Sequence, residues 1–181
     1  MLVNAAGAWA DAIAIIAGVR PIELEPKRRT IIVFDAPDGI DVSRLPFTKT
    51  VPDELYFGPE AGRVFASPMD EVPTEPCDAQ PEEYEMALAA HRIEERTVIK
   101  VSRIAHRWAG LRTFAPDRLP VVGFAPDAEG FFWLAGQGGS GLQTAPAIAS
   151  IVASQIAGAA WPVPGMTADE LSPGRFVRQG A

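Results

Sequence analysis

The chain has 181 residues, of which 48% are hydrophobic and 22% charged, and a formal net charge of -7. That balance excludes a disordered chain, leaves room for one full core with an incomplete second domain, and argues against nucleic acid as the main partner. The single cysteine, Cys77, rules out an intrachain disulfide and suits a reducing, cytoplasmic setting, while two histidines, His91 and His106, cannot build a metal set.

The first residues, Leu2-Val3-Asn4, read as the end of a buried strand, followed by a turn of small residues and a helix over 9–17 stopped by Gly18. A strand this apolar wants neighbours on both sides, so the chain is expected to enter in the middle of a sheet. Asp11 interrupts the apolar stretch and no basic run precedes it, which does not fit a signal peptide. Residues 29–34 are rich in β-branched side chains and predict a strand, and 35–52 a loop. Residues 55–58 and 63–66 flank Pro59-Glu60-Ala61-Gly62, which predicts a hairpin with a four-residue loop.

A proline-bearing connection leads to a helix with Pro81 in its first turn and Glu82, Glu83 and Glu85 at its positive end; Met86, Ala89, Ala90, Ile93 and Thr97 supply the apolar spacing. On that helix His91 is expected to face solvent. Strands are predicted over 98–104, 106–114, 121–123 and 131–135, with a turn at Ala115-Pro116-Asp117-Arg118; Trp108 is read as filling core, the alternative being a pocket wall. The apolar stretch 145–161 falls short of the ~20 residues that span a bilayer. These elements make an α+β fold: a mixed, mostly antiparallel sheet with helices on one face, plus strand–turn–helix pieces of a second, incomplete domain.

The run Phe131-Phe132-Trp133-Leu134-Ala135-Gly136-Gln137-Gly138-Gly139-Ser140-Gly141-Leu142-Gln143 is the most informative stretch. It is an apolar strand that stops in a glycine turn and opens into a helix, a geometry that presents backbone N–H groups at the positive end of a helix dipole. Gly136, Gly138 and Gly141 fit the dinucleotide-binding pattern, but the acid expected roughly 20 residues on is missing; the first acids beyond the helix are Asp169 and Glu170, with no second strand. The alternative is a turn that only lets helix and strand pack closely.

Three islands, taken together, resemble the flavoenzymes related to D-amino-acid oxidase, glycine oxidase and sarcosine oxidase. They are Val3-Asn4-Ala5-Ala6-Gly7-Ala8-Trp9-Ala10, the stretch from Trp108-Ala109-Gly110-Leu111-Arg112 through Leu119-Pro120-Val121-Val122-Gly123, and Leu134-Ala135-Gly136-Gln137-Gly138-Gly139-Ser140-Gly141-Leu142-Gln143-Thr144-Ala145-Pro146. The tail Leu171-Ser172-Pro173-Gly174-Arg175-Phe176 also looks like the end of such chains. The resemblance covers the carboxy-terminal half of a family member and implies FAD as cofactor. Ala6, Gly7 and Trp9 would lie near its nucleotide end, and Gly138, Gly139, Ser140, Gly141, Leu142 and Gln143 at the flavin pyrimidine edge.

It further implies that Arg112 pairs with a substrate carboxylate, the alternative being a structural arginine that pins the following turn through Asp117. Some glycine-oxidising relatives carry a second arginine where this chain has Gly139. Sarcosine-oxidising relatives can attach flavin through a cysteine near the middle island, where this chain has Gly110-Leu111, so FAD should be non-covalent. The implied reaction is hydride transfer from an amine-bearing carbon to flavin N5, with no catalytic acid or base to name and no metal.

The implied layout places 1–20 and 119–160 in an FAD-binding domain, 21–118 in a substrate domain and 161–181 in a tail. The chain alone is expected to be inactive, with a small amine or amino acid as substrate and an amino-terminal FAD-binding half, or a second copy, as partner. Neither nucleic acid nor a membrane is expected. The competing reading is a non-catalytic half that binds a ligand or another protein.

Overall fold

The computed structural model describes residues 1–177. It contains nine strands and three α-helices among the described residues, and divides into two compact units. The first joins Met1–Pro26 to the described residues from Arg112 on, and the second is Lys27–Leu111. The fold is α+β.

The first unit is built on a three-stranded sheet in the order β1 (Leu2–Asn4), β9 (Phe131–Ala135), β8 (Val121–Phe124). β1 runs parallel to β9, with Asn4 opposite Trp133, and β8 runs antiparallel to it. Strand alternation sends side chains of β9 to opposite faces. On one face Phe131, Trp133 and Ala135 pack with Ala10 and Ala14 of helix α1 (Ala10–Ile16). On the other, Phe132 joins Val122, Leu171 and Ile151 of helix α3 (Gly141–Ala157). A central strand covered on both sides is why its sequence is apolar at every position. α3 begins directly after the glycine turn and carries Pro146 within its first two turns.

The second unit holds a six-stranded sheet. Its path is β3 (Thr48–Lys49), β4 (Tyr56–Glu60), β5 (Arg63–Ser67), β2 (Glu25–Asp35) and β6 (Val72–Pro73), with β7 (Ile104–Phe114) also paired to β2. The pairings of β3 with β4, β4 with β5, and β2 with β5 and β6 are antiparallel. Helix α2 (Glu83–Arg96) lays Ala89 and Ile93 against Ile32, Phe34, Leu55 and Val64. His91 on the same helix is exposed.

Several local expectations need correction. β1 lies at the edge of its sheet among the described strands, with Leu2 and Val3 exposed, rather than buried between two neighbours, because β9 takes the central place. Pro81 precedes α2, whose N-cap is Glu82, rather than sitting in its first turn. The hairpin loop has two residues, not four, because β4 extends through Pro59 and Glu60, which pair with Val64 and Arg63. Ala61 and Gly62, at φ 48° and 81°, then make the turn, the left-handed pair that matches strand twist. Residues 98–103 are not a strand; after α2 the amide of Ile99 donates to the Thr97 hydroxyl (3.0 Å) and that of Val101 to the Glu94 carboxylate (2.9 Å), bonds that compete with a ladder. Trp108 is not core: it is 47% exposed on β7.

Candidate functional site

The first unit gathers two of the three islands at one end of its sheet. Because β1 and β9 are parallel neighbours, the turns that follow them leave from the same, carboxyl edge, the place where open parallel sheets receive ligands. The turn after β1 is held by Asn4, which is 2% exposed. Its amide nitrogen donates to the carbonyl of Ala10 (2.8 Å), and its oxygen accepts from the N–H of Ala6 (3.3 Å). That clamp leaves Gly7 at φ 59° with open space where a Cβ would stand, and Trp9 48% exposed.

The turn after β9 is fixed from the end of β7. Gly138 donates its N–H to the carbonyl of Thr113 (2.9 Å), and Ser140 donates to Gln137 (3.2 Å). Gly136 and Gly138 take left-handed φ values of 67° and 55°. A Cβ on Gly138 would stand 2.5 Å from the Phe114 ring, whose face carries the Arg118 guanidinium at 4.0 Å. Gly138 is therefore glycine for packing against Phe114 as well as for conformation.

The next positions differ in kind. Ser140 caps α3 without a side-chain hydrogen bond, and the first turn of the helix contains no acidic residue. The N–H groups of Gly141, Leu142 and Gln143 thus have no intrahelical acceptor, and the helix presents them with the positive end of its dipole. Leu142 is 93% exposed. Gln137 and Gly141, with Ala5 from the other turn, border a groove of about 540 Å³ that continues along α3 past Ala145 and Ala149.

Arg112, at the end of β7, lies against this turn. A Cβ on Gly139 would stand 2.8 Å from its Nη1, 3.2 Å from Cζ and 3.5 Å from Nε. The space that a side chain at 139 would need is filled by the guanidinium. Asp117 is bound by Arg175, at 2.7 Å from Nε and 3.1 Å from Nη2. The guanidinium holds the Asp117 carboxyl below the usual range. His106 is exposed on β7 and Cys77 is an exposed free thiol. Among the described residues no cluster of His, Cys, Asp or Glu could hold a metal, and no helix is long and apolar enough to cross a membrane.

Sequence reasoning missed Asn4, Ala5 and Gln137. Asn4 sat inside the recognised island, and a buried amide directly before a turn is the signal that could have marked it.

The family model described as FAD dependent oxidoreductase, DAO, matches residues 2–155. The chain belongs to this family. A Xenopus laevis relative, "FAD-dependent oxidoreductase domain-containing protein 1", is 29% identical over 180 residues, which cover 86% of this chain and 34% of that protein. The chain thus spans about a third of that relative's length. Among solved structures, L-proline dehydrogenase from P. horikoshii superposes with a TM-score of 0.79 at 22% identity, over 97% of this chain and 46% of that one. Glycine oxidase from Geobacillus kaustophilus gives 0.75 at 21%, over 96% and 45%. These likenesses establish the fold.

Proposed function

We propose that this chain is the carboxy-terminal part of an FAD-dependent oxidoreductase that oxidises an amine or amino acid, and that it requires an amino-terminal FAD-binding half for activity. The observation that carries this reading is the uncapped glycine turn at the carboxyl end of β9, with the Arg112 guanidinium packed on Gly139. The residues present fit the pyrimidine end of a flavin: free N–H donors, no first-turn acid and small neighbours. When bound, FAD supplies the two-electron acceptor for the substrate C–H bond.

The chain's own residues contribute in three ways. The N–H groups of Gly139, Gly141, Leu142 and Gln143 would stabilise negative charge on a neighbouring ring, in fixed positions that need no reorganisation. Arg112 offers two parallel N–H donors to a substrate carboxylate, the contact for which a guanidinium is shaped. Ala6, Gly7 and Trp9 would line the cofactor nearer its nucleotide end, where Gly7 leaves the backbone accessible. On this reading the first unit is the returning part of the FAD-binding domain and the second the substrate domain.

The test is to assemble the chain with the amino-terminal half of a relative, add FAD and record the visible spectrum. A bound, unmodified flavin is expected, releasable by acid. In the assembled enzyme Arg112→Met should raise KM for a carboxylate substrate by the equivalent of roughly 2–4 kcal/mol. An assembly that excludes flavin, or an unchanged KM, contradicts the proposal.

A further inference from the structure

The six-stranded sheet of the second unit has two faces, and α2 covers one of them. Ile32, Phe34 and Val64 pack toward that helix. Strand alternation sends Val33, Asp35 and Arg63 to the opposite face. Arg63 stands directly across from Asp35 on β2 and from Glu60 on β4, so the three charged groups share this side. His106 and Trp108 lie two residues apart on β7 and therefore share a face as well. Together with the buried Val33 and with Ala61 of the hairpin turn, Glu60, Arg63, His106 and Trp108 border a groove of about 210 Å³.

The groups around this groove are unevenly used. Asp35 accepts from the Nε of Arg63 at 3.0 Å, which ties the one guanidinium to one of two carboxylates. The Glu60 carboxylate has no ion-pair or hydrogen-bond partner among the described residues. Trp108 is 47% exposed, and among the described residues no cation or second ring lies on its indole. An unpaired carboxylate and an open indole face on one groove are the two halves of an ammonium site. The carboxylate supplies charge, the ring offers its negative face, and the apolar wall takes alkyl groups.

We infer that this groove is a binding site for an organic ammonium ion, a protonated or quaternary amine held between the Trp108 ring and the Glu60 carboxylate. The charge balance selects the sign. Asp35 and Glu60 outnumber Arg63, and the net charge of -7 on the whole chain draws cations at longer range. An anion would find Arg63 already engaged by Asp35 and would meet Glu60 unshielded. A bare metal ion would find a single free carboxylate, too few oxygen ligands to hold it, and would gain nothing from Val33. The site lies wholly within the second unit and does not depend on the flavin chemistry proposed above.

The experiment titrates the full chain with choline, with its uncharged isostere in which carbon replaces the quaternary nitrogen, and with benzoate. Nitrogen–proton NMR follows the indole N–H signals and the backbone amides. Choline should shift the Trp108 indole and the amides of Ala61 and Gly62, saturating at millimolar concentrations, and leave the Trp133 indole in place. It should bind at least tenfold tighter than the uncharged isostere. Glu60→Gln should weaken choline binding at least threefold and Trp108→Leu at least tenfold. Both side chains are exposed, so the melting temperature should stay unaltered in each variant. Four results overturn the inference: no shift at Trp108, equal affinity for choline and its uncharged isostere, benzoate bound tighter than choline, or binding indifferent to Glu60→Gln. None of these readouts involves flavin. A chain that binds choline as described yet takes up no flavin when assembled refutes the proposed function and leaves this site standing, and flavin uptake without choline binding does the reverse.

Discussion

Gly138→Ala and Gly139→Ala are adjacent, chemically identical substitutions for which the structure gives opposite consequences. At Gly138 the added methyl enters a left-handed backbone at φ 55°, which costs a non-glycine residue about 1–2 kcal/mol. It also stands 2.5 Å and 2.9 Å from two carbons of the Phe114 ring. Overpacking of that kind adds about 1–3 kcal/mol. The total is roughly 2–5 kcal/mol, which for a chain of this size lowers Tm by roughly 5–15 °C.

At Gly139 the methyl meets only the far end of Arg112, a flexible side chain that can swing aside, and the backbone is not left-handed. Its effect on Tm should stay within about 2 °C, since replacements that strain nothing fall within about 0.5 kcal/mol. The cost falls on the position of the guanidinium instead. Differential scanning calorimetry of both variants, with Phe114→Ala and the Gly138→Ala/Phe114→Ala double variant, separates the terms. Removing the ring should recover the overpacking part and leave the backbone part, a coupling of about 1–3 kcal/mol. Equal melting of the two single variants, or no coupling, would refute the packing of the turn on Phe114.

Two further outcomes follow from charged pairs. In the second unit the buried Arg28 pairs with Glu82 and lies 3.4 Å from the buried Glu85, so Glu85→Ala leaves the cation with one carboxylate partner and should destabilise by less than the about 3–5 kcal/mol of a fully broken buried pair, measured by urea denaturation. Glu85→Ala together with Arg28→Met should recover most of that loss. In the first unit the Asp117 carboxyl is held below its ordinary value by Arg175. Its contribution is therefore complete above the unfolded carboxylate range and is lost as pH falls through the lowered folded value. Asp117→Asn should flatten that acid limb in Tm measured against pH, and an unchanged limb would show that the pair does not hold the tail.

Much of the fold, including the turn that carries the candidate site, was legible because its signals are local. The glycine turn, the helix behind it and the strand before it follow from consecutive residues, and α2 follows from its acids and the spacing of Ala89 and Ile93. What was not legible depends on pairing across distance. Pro59 and Glu60 read as loop residues, yet Val64 and Arg63 draw them into the ladder. The stretch after α2 has strand composition, but Glu94 and Thr97 capture its amides before a partner strand can. Trp108 has the composition of a core residue and is half-exposed on β7, a matter of which face the strand presents. The approach of Arg112 to Gly139 spans 27 residues, which no spacing rule predicts.

The most direct test is a crystal structure of the chain assembled with its amino-terminal counterpart and FAD. The account predicts the oxygen and nitrogen atoms of the flavin's pyrimidine edge within about 3 Å of N–H groups of Gly139, Gly141, Leu142 or Gln143, at ordinary hydrogen-bond distance, with Arg112 facing the open side of the ring. A flavin bound elsewhere, with those amides turned to solvent or to protein, would contradict it.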